Sequence, residues 1–448
     1  MKRCLWLCLL SSGVCADEEN LSKITFDGQY RGRLDMYNGV NKAAYGDQSI
    51  DVKGKVRGKS NDRLYLQQLI AGFTYVPSDN WEYKLYMYDS RAWGSSLKGE
   101  DFTINAGTAD AYKMDYYNDH LELFTAYVRY KNLLDSGISL TVGRQKLGYG
   151  DRRVFGPGEW KNTMGWLWDA VHFSYKHEKN FIDGWYGQTR IISPDDFSLI
   201  EKHRYQGVGI YGHYEGDLLN IEPFAAWKNP LYHTTLPYED FYYGGGRVYK
   251  EGLGWIMDMT GVQEIGHSGD KHVDAYGYVM KAGYQWDTRY TPKVMAGITY
   301  ASGDKNPYDA QITTFTSPFG MNDGPYYGRA DIVIWSNIRD VEASFSTMIV
   351  PDLRVELGCH RFNLADPNDK WYEFGYTNKH GNSYTHLGDE IDLIANYRIN
   401  ESFGWLGIVS YFQSGDFIRK NNIAQNNASK LFLQFEYRFS TKNKNATH

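Results

Sequence analysis

His172 and Ser174 stand two residues apart with Asp169 just ahead of them, the residue types of a nucleophile, a base and the acid that orients the base. In extended chain a spacing of two places His172 and Ser174 on one face, opposite Val171, Phe173 and Tyr175. Asp304 and Asp309 in "SGDKNPYDA" offer oxygens that a loop could close around calcium, although capping of tight turns is the commoner use of Asp and Asn in such a stretch. The 12 His are scattered, with no spacing that gathers metal ligands, so neither a metal nor a cofactor is expected. A third set is larger: Arg31, Arg33, Arg144, Lys146, Arg190, Arg354 and Arg398, accompanied by Asp27, Glu390 and Asp392. A guanidinium stays charged and pairs carboxylates at two points, and rings of basic side chains select anions in a pore. What these residues do depends on the elements that aim them.

The first such element is "ITFDGQYRGRLDMY", residues 24–37. Ile24, Phe26, Tyr30, Leu34 and Met36 alternate with Asp27, Gln29, Arg31, Arg33 and Asp35, the period of a pleated strand with one apolar and one charged face. Strands of soluble proteins average about 5–6 residues, whereas a tilted strand needs about 9–11 to cross a bilayer. The alternation therefore predicts a membrane strand with lipid on one side and a wet interior on the other.

Composition agrees. The chain has 38 Tyr, 13 Trp and 46 Gly but 12 Pro, with a mean hydropathy of −0.56. Many rings with low hydropathy is the profile of a transmembrane β-barrel, in which half of each strand faces water and rings gather at the two interfaces. Residues 1–16 carry Lys2 and Arg3, a short apolar run and Ala16, and read as a secretory signal peptide, leaving one β-barrel domain over 17–448. Cys4, Cys8 and Cys15 would leave with it, so only Cys359 remains and no disulfide framework forms. The formal charge of −6 becomes more negative without Lys2 and Arg3, which argues against a nucleic-acid partner.

Period-two segments fall at 24–37, 63–76, 81–91, 121–130, 138–147, 168–176, 182–191, 204–214 and 220–228, and again at 272–284, 293–302, 333–349, 353–362, 386–399, 403–412 and 430–439. Long connections such as 38–62, 92–120 and 148–167 alternate with tight ones such as "PSDN", "HEKNF" and "VPD". Short periplasmic turns and long extracellular loops are the rhythm of outer-membrane barrels. Residues 229–271 are long enough for one more hairpin around "RVYKEGLGWIMDM", which favours an antiparallel barrel of 18 strands over one of 16. The final "LFLQFEYRF" closes with an aromatic and would pair with the first strand, because closure removes the unpaired edge.

Residues 143–173, "GRQKLGYGDRRVFGPGEWKNTMGWLWDAVHF", resemble the signature stretch of the alginate export family of outer-membrane channels. Gly143, Arg144 and Gln145 end a strand, a loop carries Trp160, and Asp169 opens the next strand. "YASGDKNPYDAQITTF" at 300–315 and "GDEIDLIANYRI" at 388–399 resemble the same family. The resemblance implies a monomeric 18-stranded channel in a Gram-negative outer membrane. Through its arginine-rich pore a newly made anionic polysaccharide would leave the cell, with periplasmic synthesis or modification proteins as partners. "FGWLGIVSYF" near the C-terminus departs from the family in carrying no arginine where its alginate channels have basic residues. That weakens alginate itself as cargo and leaves a less charged polysaccharide or a small anionic solute open.

Alternation selects the interior set: Arg31 and Arg33 with Asp27 and Asp35, Arg190 on the face of Tyr186 and Gln188, Arg354 against Leu353 and Val355, and Arg398 with Glu390 and Asp392. Carboxylates at Glu82, Glu356 and Glu436 fall on the same inward faces, and pairing across strands is the ordinary fate of such charges. Arg144 and Lys146 share parity with Ile138, Leu140 and Val142. A bulge at Gly143 that flips the register would bring both to the outer constriction of the pore. The competing reading is a substrate-selective porin for small anionic or carbohydrate solutes, in which loops 38–62 and 92–120 fold inward. Lys53, Lys55, Arg57 and Lys59 in the first of these would face lipopolysaccharide or solvent. With His172 and Ser174 pointing inward, away from lipid, no enzyme is expected.

Overall fold

The computed structural model describes residues 23–109, 111–159, 161–194, 197, 203–231, 238–320 and 326–441; the signal-peptide expectation at 1–16 and Trp160 lie outside them. Eighteen strands run antiparallel in chain order: β1 (Ile24–Asn38), β2 (Arg63–Ser78), β3 (Trp81–Trp93), β4 (Asp119–Leu133), β5 (Ile138–Lys146), β6 (Leu167–His177), β7 (Asn180–Arg190), β8 (His203–Glu215), β9 (Asn220–Pro230), β10 (Glu239–Lys250), β11 (Gly254–Ser268), β12 (Lys271–Gln285), β13 (Lys293–Ala301), β14 (Ile338–Val350), β15 (Leu353–Asn363), β16 (His386–Arg398), β17 (Phe403–Ser414) and β18 (Ala428–Ser440). β18 pairs with β1, from Asn38 opposite Ser429 to Asp27 opposite Ser440, so the sheet closes without an edge. No described helix is long and apolar enough to cross a membrane; the strands do.

The opening alternation holds in three dimensions. Arg31, Arg33 and Asp35 are buried inside, while across the wall Phe73 and Leu85 of the neighbouring strands are each 52% exposed to the outside. Exposed rings ring both ends of this band: Trp81, Trp255, Trp286, Trp405 and Tyr437 at the short-turn end, and Tyr65, Trp93, Tyr242 and Tyr411 at the other. They form the two interfacial girdles of an outer-membrane barrel. The hairpin expected within 229–271 is β10–β11, joined at Glu251–Leu253. One connection on the long-loop side breaks the rhythm: β11 and β12 meet in a tight turn at Gly269–Asp270.

The interior is not an open tube. Phe155 from loop 147–166 and Phe315, Phe319, Tyr327 and Trp335 from loop 302–337 join Trp168, Trp185 and Phe224 of the inner wall in one buried cluster. Burying rings of this size is the main drive that folds the two loops inward. The strand expected over 333–349 begins only at Ile338. Val333 and Trp335 alternate like a strand but, with Ile332, are buried in this plug.

Candidate functional site

Loop 147–166 crosses the interior and is fastened from several sides. Arg31 donates from its guanidinium to the carbonyls of Glu159 (3.2 Å), Lys161 (2.9 Å) and Asn162 (3.4 Å). The Asn162 side-chain amide donates to the carbonyls of Gln67 (3.2 Å), Arg91 (3.1 Å) and Tyr117 (2.7 Å), and the main-chain carbonyl of Asn162 accepts from Gln68 (2.5 Å) and Ser90 (2.8 Å). Glu159 pairs with Lys146 and, at 2.5 Å, with Arg152. Burial works against ionisation of Glu159, but these two cations more than offset it and hold its carboxyl below the usual range. Arg153 bonds Asp151 at 3.0 Å and stacks among Tyr326, Tyr327 and Trp335, which ties this loop to the other.

Below the loop lies a cavity of 1330 Å³ that reaches the periplasmic mouth between β18 and β7. Its wall carries eight basic side chains, Arg31, Lys84, Arg129, Lys131, Lys146, Arg152, Lys176 and Arg438, against four carboxylates, Asp27, Glu159, Asp183 and Glu436. This excess stands inside a chain of net charge −6, so cations are concentrated on this cavity. Lys84 lies over the Tyr86 ring at 4.8 Å and Lys176 near the Phe181 ring at 5.9 Å; neither has a carboxylate partner among the described residues. Above the loop a second cavity of 360 Å³ carries Lys42, Lys161, Arg204 and Lys228 with Trp166 and Tyr205, and Glu373 is the only carboxylate in its described wall. Glu159 and Met164 face the lower space, Gly158, Lys161 and Thr163 the upper, so the loop is the partition between two cation-lined chambers. A third cavity of 520 Å³ along β11–β16 is acidic, with Glu251, Asp258, Glu342, Glu356 and Asp392 against Lys281, Lys293 and Arg329.

The expected residues divide accordingly. Arg31, Asp27 and Lys146 line the large cavity and Asp392 the acidic one. Arg398 lies on a 270 Å³ recess at the periplasmic rim. Arg33 points inward but is covered, 3.2 Å from Asp35 and over the Phe432 ring. Arg354 is held at a turn by Ser346 (3.1 Å) and Thr291 (3.0 Å). Glu390 accepts the backbone N–H groups of Arg329 (2.6 Å) and Ala330 (2.7 Å) and so anchors loop 302–337.

Two placements differ from expectation. The ladder between β5 and β6 runs from Ile138 to Lys146 without a register shift, so Gly143, at φ 125, does not flip the strand. Arg144 keeps the parity of Val142 and is taken up by the wall. It forms a two-point pair with Asp169 (2.7 and 2.8 Å) and bonds Glu122 at 3.2 Å, while Asp169 also takes His203 at 2.6 Å. Gln145 turns the other way and donates to the carbonyls of Gly143 and Ala170. Arg190 likewise lines none of these cavities. Tyr186, 54% exposed, marks the outer face of β7, and Arg190 is sealed at 1% exposure against Asp119 (2.6 Å), Tyr88 and Glu122. Parity cannot foresee such a pair, because the partners stand on β3 and β4.

Alternation on β3, β4 and β6 carried the signal for Lys84, Arg129, Lys131 and Lys176, which line the cavity. His172 faces the same space and bonds Asp183 at 3.1 Å and Tyr149 at 3.3 Å. Asp304 and Asp309 cap turns at Asn306 (3.1 Å) and Gln311 (2.8 Å). Loop 38–62 packs on loop 92–120 through Arg57 and Asp101 (2.8 Å), and both reach inward, Val40, Tyr45, Phe102 and Tyr117 joining the buried cluster and Lys42 and Tyr116 lining the upper cavity beside the partition.

The sequence profile of the alginate export family matches residues 49–432. The chain belongs to the alginate export family. No curated protein matches it. Among solved structures it is similar to Acinetobacter baumannii OccAB2 (TM-score 0.60, 11% identity, 94% of this chain and 99% of that one). It is also similar to Pseudomonas aeruginosa OccK8, or OprE (TM-score 0.57, 10% identity, 94% and 98%). At such identities these likenesses speak for the fold. Family and fold are those of outer-membrane channels, not of enzymes, and place this member of the family in a Gram-negative outer membrane.

Proposed function

We propose that this channel passively exports an anionic polysaccharide bearing a carboxylate on its sugars, with loop 147–166 as the partition the polymer displaces. The observation that carries the reading is the cation excess on both sides of that loop, eight basic groups to four carboxylates below it and four to one above it. A polyanion entering a low-dielectric wall loses hydration, and fixed cations along its path offset that loss. Lys84 and Lys176, resting on rings, are free to meet each carboxylate in turn, while Arg31 acts mainly by holding the loop. The pore works as a monomer and periplasmic synthesis proteins feed it.

A partition that narrows the path also fits a porin for small anionic solutes, and chain length separates the two. In planar bilayers, uronate oligosaccharides added on the periplasmic side should block the current for times that lengthen with the number of sugars. Neutral oligosaccharides of equal length should block far less, and Lys84→Gln with Lys176→Gln should shorten the uronate events. Block by monouronate alone would support the porin; no block by either would refute both.

A further inference from the structure

On the acid-rich side of the barrel, Asp340 and Glu342 alternate onto one face of β14, and the ladder puts His360 of β15 directly opposite Glu342. One donor atom from each lies within 4.8 Å of the other two. Asp340 is fully buried: one oxygen bonds His360 Nδ1 at 2.9 Å, and the other, Oδ1, has no hydrogen-bond partner. An unpartnered buried carboxylate oxygen is costly and needs its own explanation. Asp392 stands next to the group, 4.0 Å from His360 Nε2, with its Oδ1 also unpartnered. Lys281 reaches Glu342 at 2.5 Å across Gly297, which sits between them in the ladder and has no side chain to block the approach.

We propose that Asp340, Glu342 and His360 form a divalent-cation site of the zinc class, with Asp392 close enough to complete it. One imidazole with carboxylates suits Zn²⁺, whereas calcium and magnesium prefer oxygen alone. Bonds of about 2.0–2.2 Å bring these donors onto one ion with side-chain shifts of about 1 Å. The adjoining cavity, walled by His360 and Glu342, extends to Glu251 and Gly252 at the periplasmic turn, which is the ion's route. Lys281 is the resident counter-charge, and the ion displaces it from Glu342. The bound ion cross-links β14 to β15 and relieves the negative charge of this wall.

The test uses the full-length, tag-free barrel in detergent, stripped with chelator and titrated with Zn²⁺ by calorimetry. One Zn²⁺ per chain is expected. His360→Ala and Asp340→Asn should each weaken binding at least about tenfold, and Lys281→Met should strengthen it. Each variant must keep the gel shift of a closed barrel. Should one not fold, Co²⁺ bound to the unaltered protein supplies the second measurement, a visible band that Zn²⁺ abolishes. Absence of saturable Zn²⁺ binding, binding unchanged by His360→Ala, or Ca²⁺ binding as tight as Zn²⁺ would overturn the proposal.

Discussion

Asn162→Ala tests whether loop 147–166 is the element that holds the path shut. The Asn162 amide has two hydrogens and three carbonyls within reach, those of Gln67, Arg91 and Tyr117. Alanine removes about two net hydrogen bonds at about 0.5–1.5 kcal/mol each, or about 1–3 kcal/mol. The backbone contacts from Arg31, Gln68 and Ser90 remain, so the loop loosens without being released. A change of that size shifts a two-state equilibrium by about 5- to 150-fold. Single-channel recording in planar bilayers reads it directly: the variant should spend that much more time, relative to closed, in a high-conductance state. A folded variant with unchanged open-state occupancy would show that the loop is not the gate, and the partition argument would fail.

Arg144→Met should lower the temperature at which the barrel loses its gel shift, by about 3–5 kcal/mol of stability, because Asp169 and Glu122 lose their buried partner. Ion selectivity should stay unchanged, since Arg144 lines no cavity; altered selectivity with normal stability would reverse that assignment. Glu159 gives a pH dependence whose sign is set by its depressed folded value. The anchor is intact above the unfolded value of about 4.3 and is lost as pH falls through the folded one. Open-state occupancy should therefore rise as acidification passes below the ordinary carboxylate range, and Glu159→Gln should be open more often at neutral pH with that dependence removed. Leu85→Arg, on the lipid face, should cost up to about 2–4 kcal/mol, whereas Lys84→Gln beside it should leave folding unaffected, as urea titration would report.

The wall was legible because one physical rule governs it. Every second residue of "ITFDGQYRGRLDMY" must meet lipid, and a closed sheet leaves no other register. Connection lengths then led to eighteen strands, including the β10–β11 hairpin around the glycines of "RVYKEGLGWIMDM". The interior was less readable because its order comes from contacts far apart in the chain. "DIVIWSNI" alternates like a strand, yet Trp335 is held by Phe315 and by the carbonyl of Tyr300 inside the plug. Tyr186 and Gln188 made the outer face of β7 look watery, since a tyrosine at the membrane interface is as much at home as one in the lumen. Arg190 follows Tyr186 and Gln188 onto that face, and Arg144 reaches the pore only through a register flip at Gly143 that the ladder does not contain. Their partners Glu122 and Asp119 are brought to them only by the closed sheet.

The reversal potential in a salt gradient is the most direct test of a cation-lined path. Anion preference is expected, reduced in steps by Lys84→Gln, Lys176→Gln and Arg129→Gln and untouched by Arg190→Met. A preference for cations, or one insensitive to all three cavity substitutions, would contradict the account.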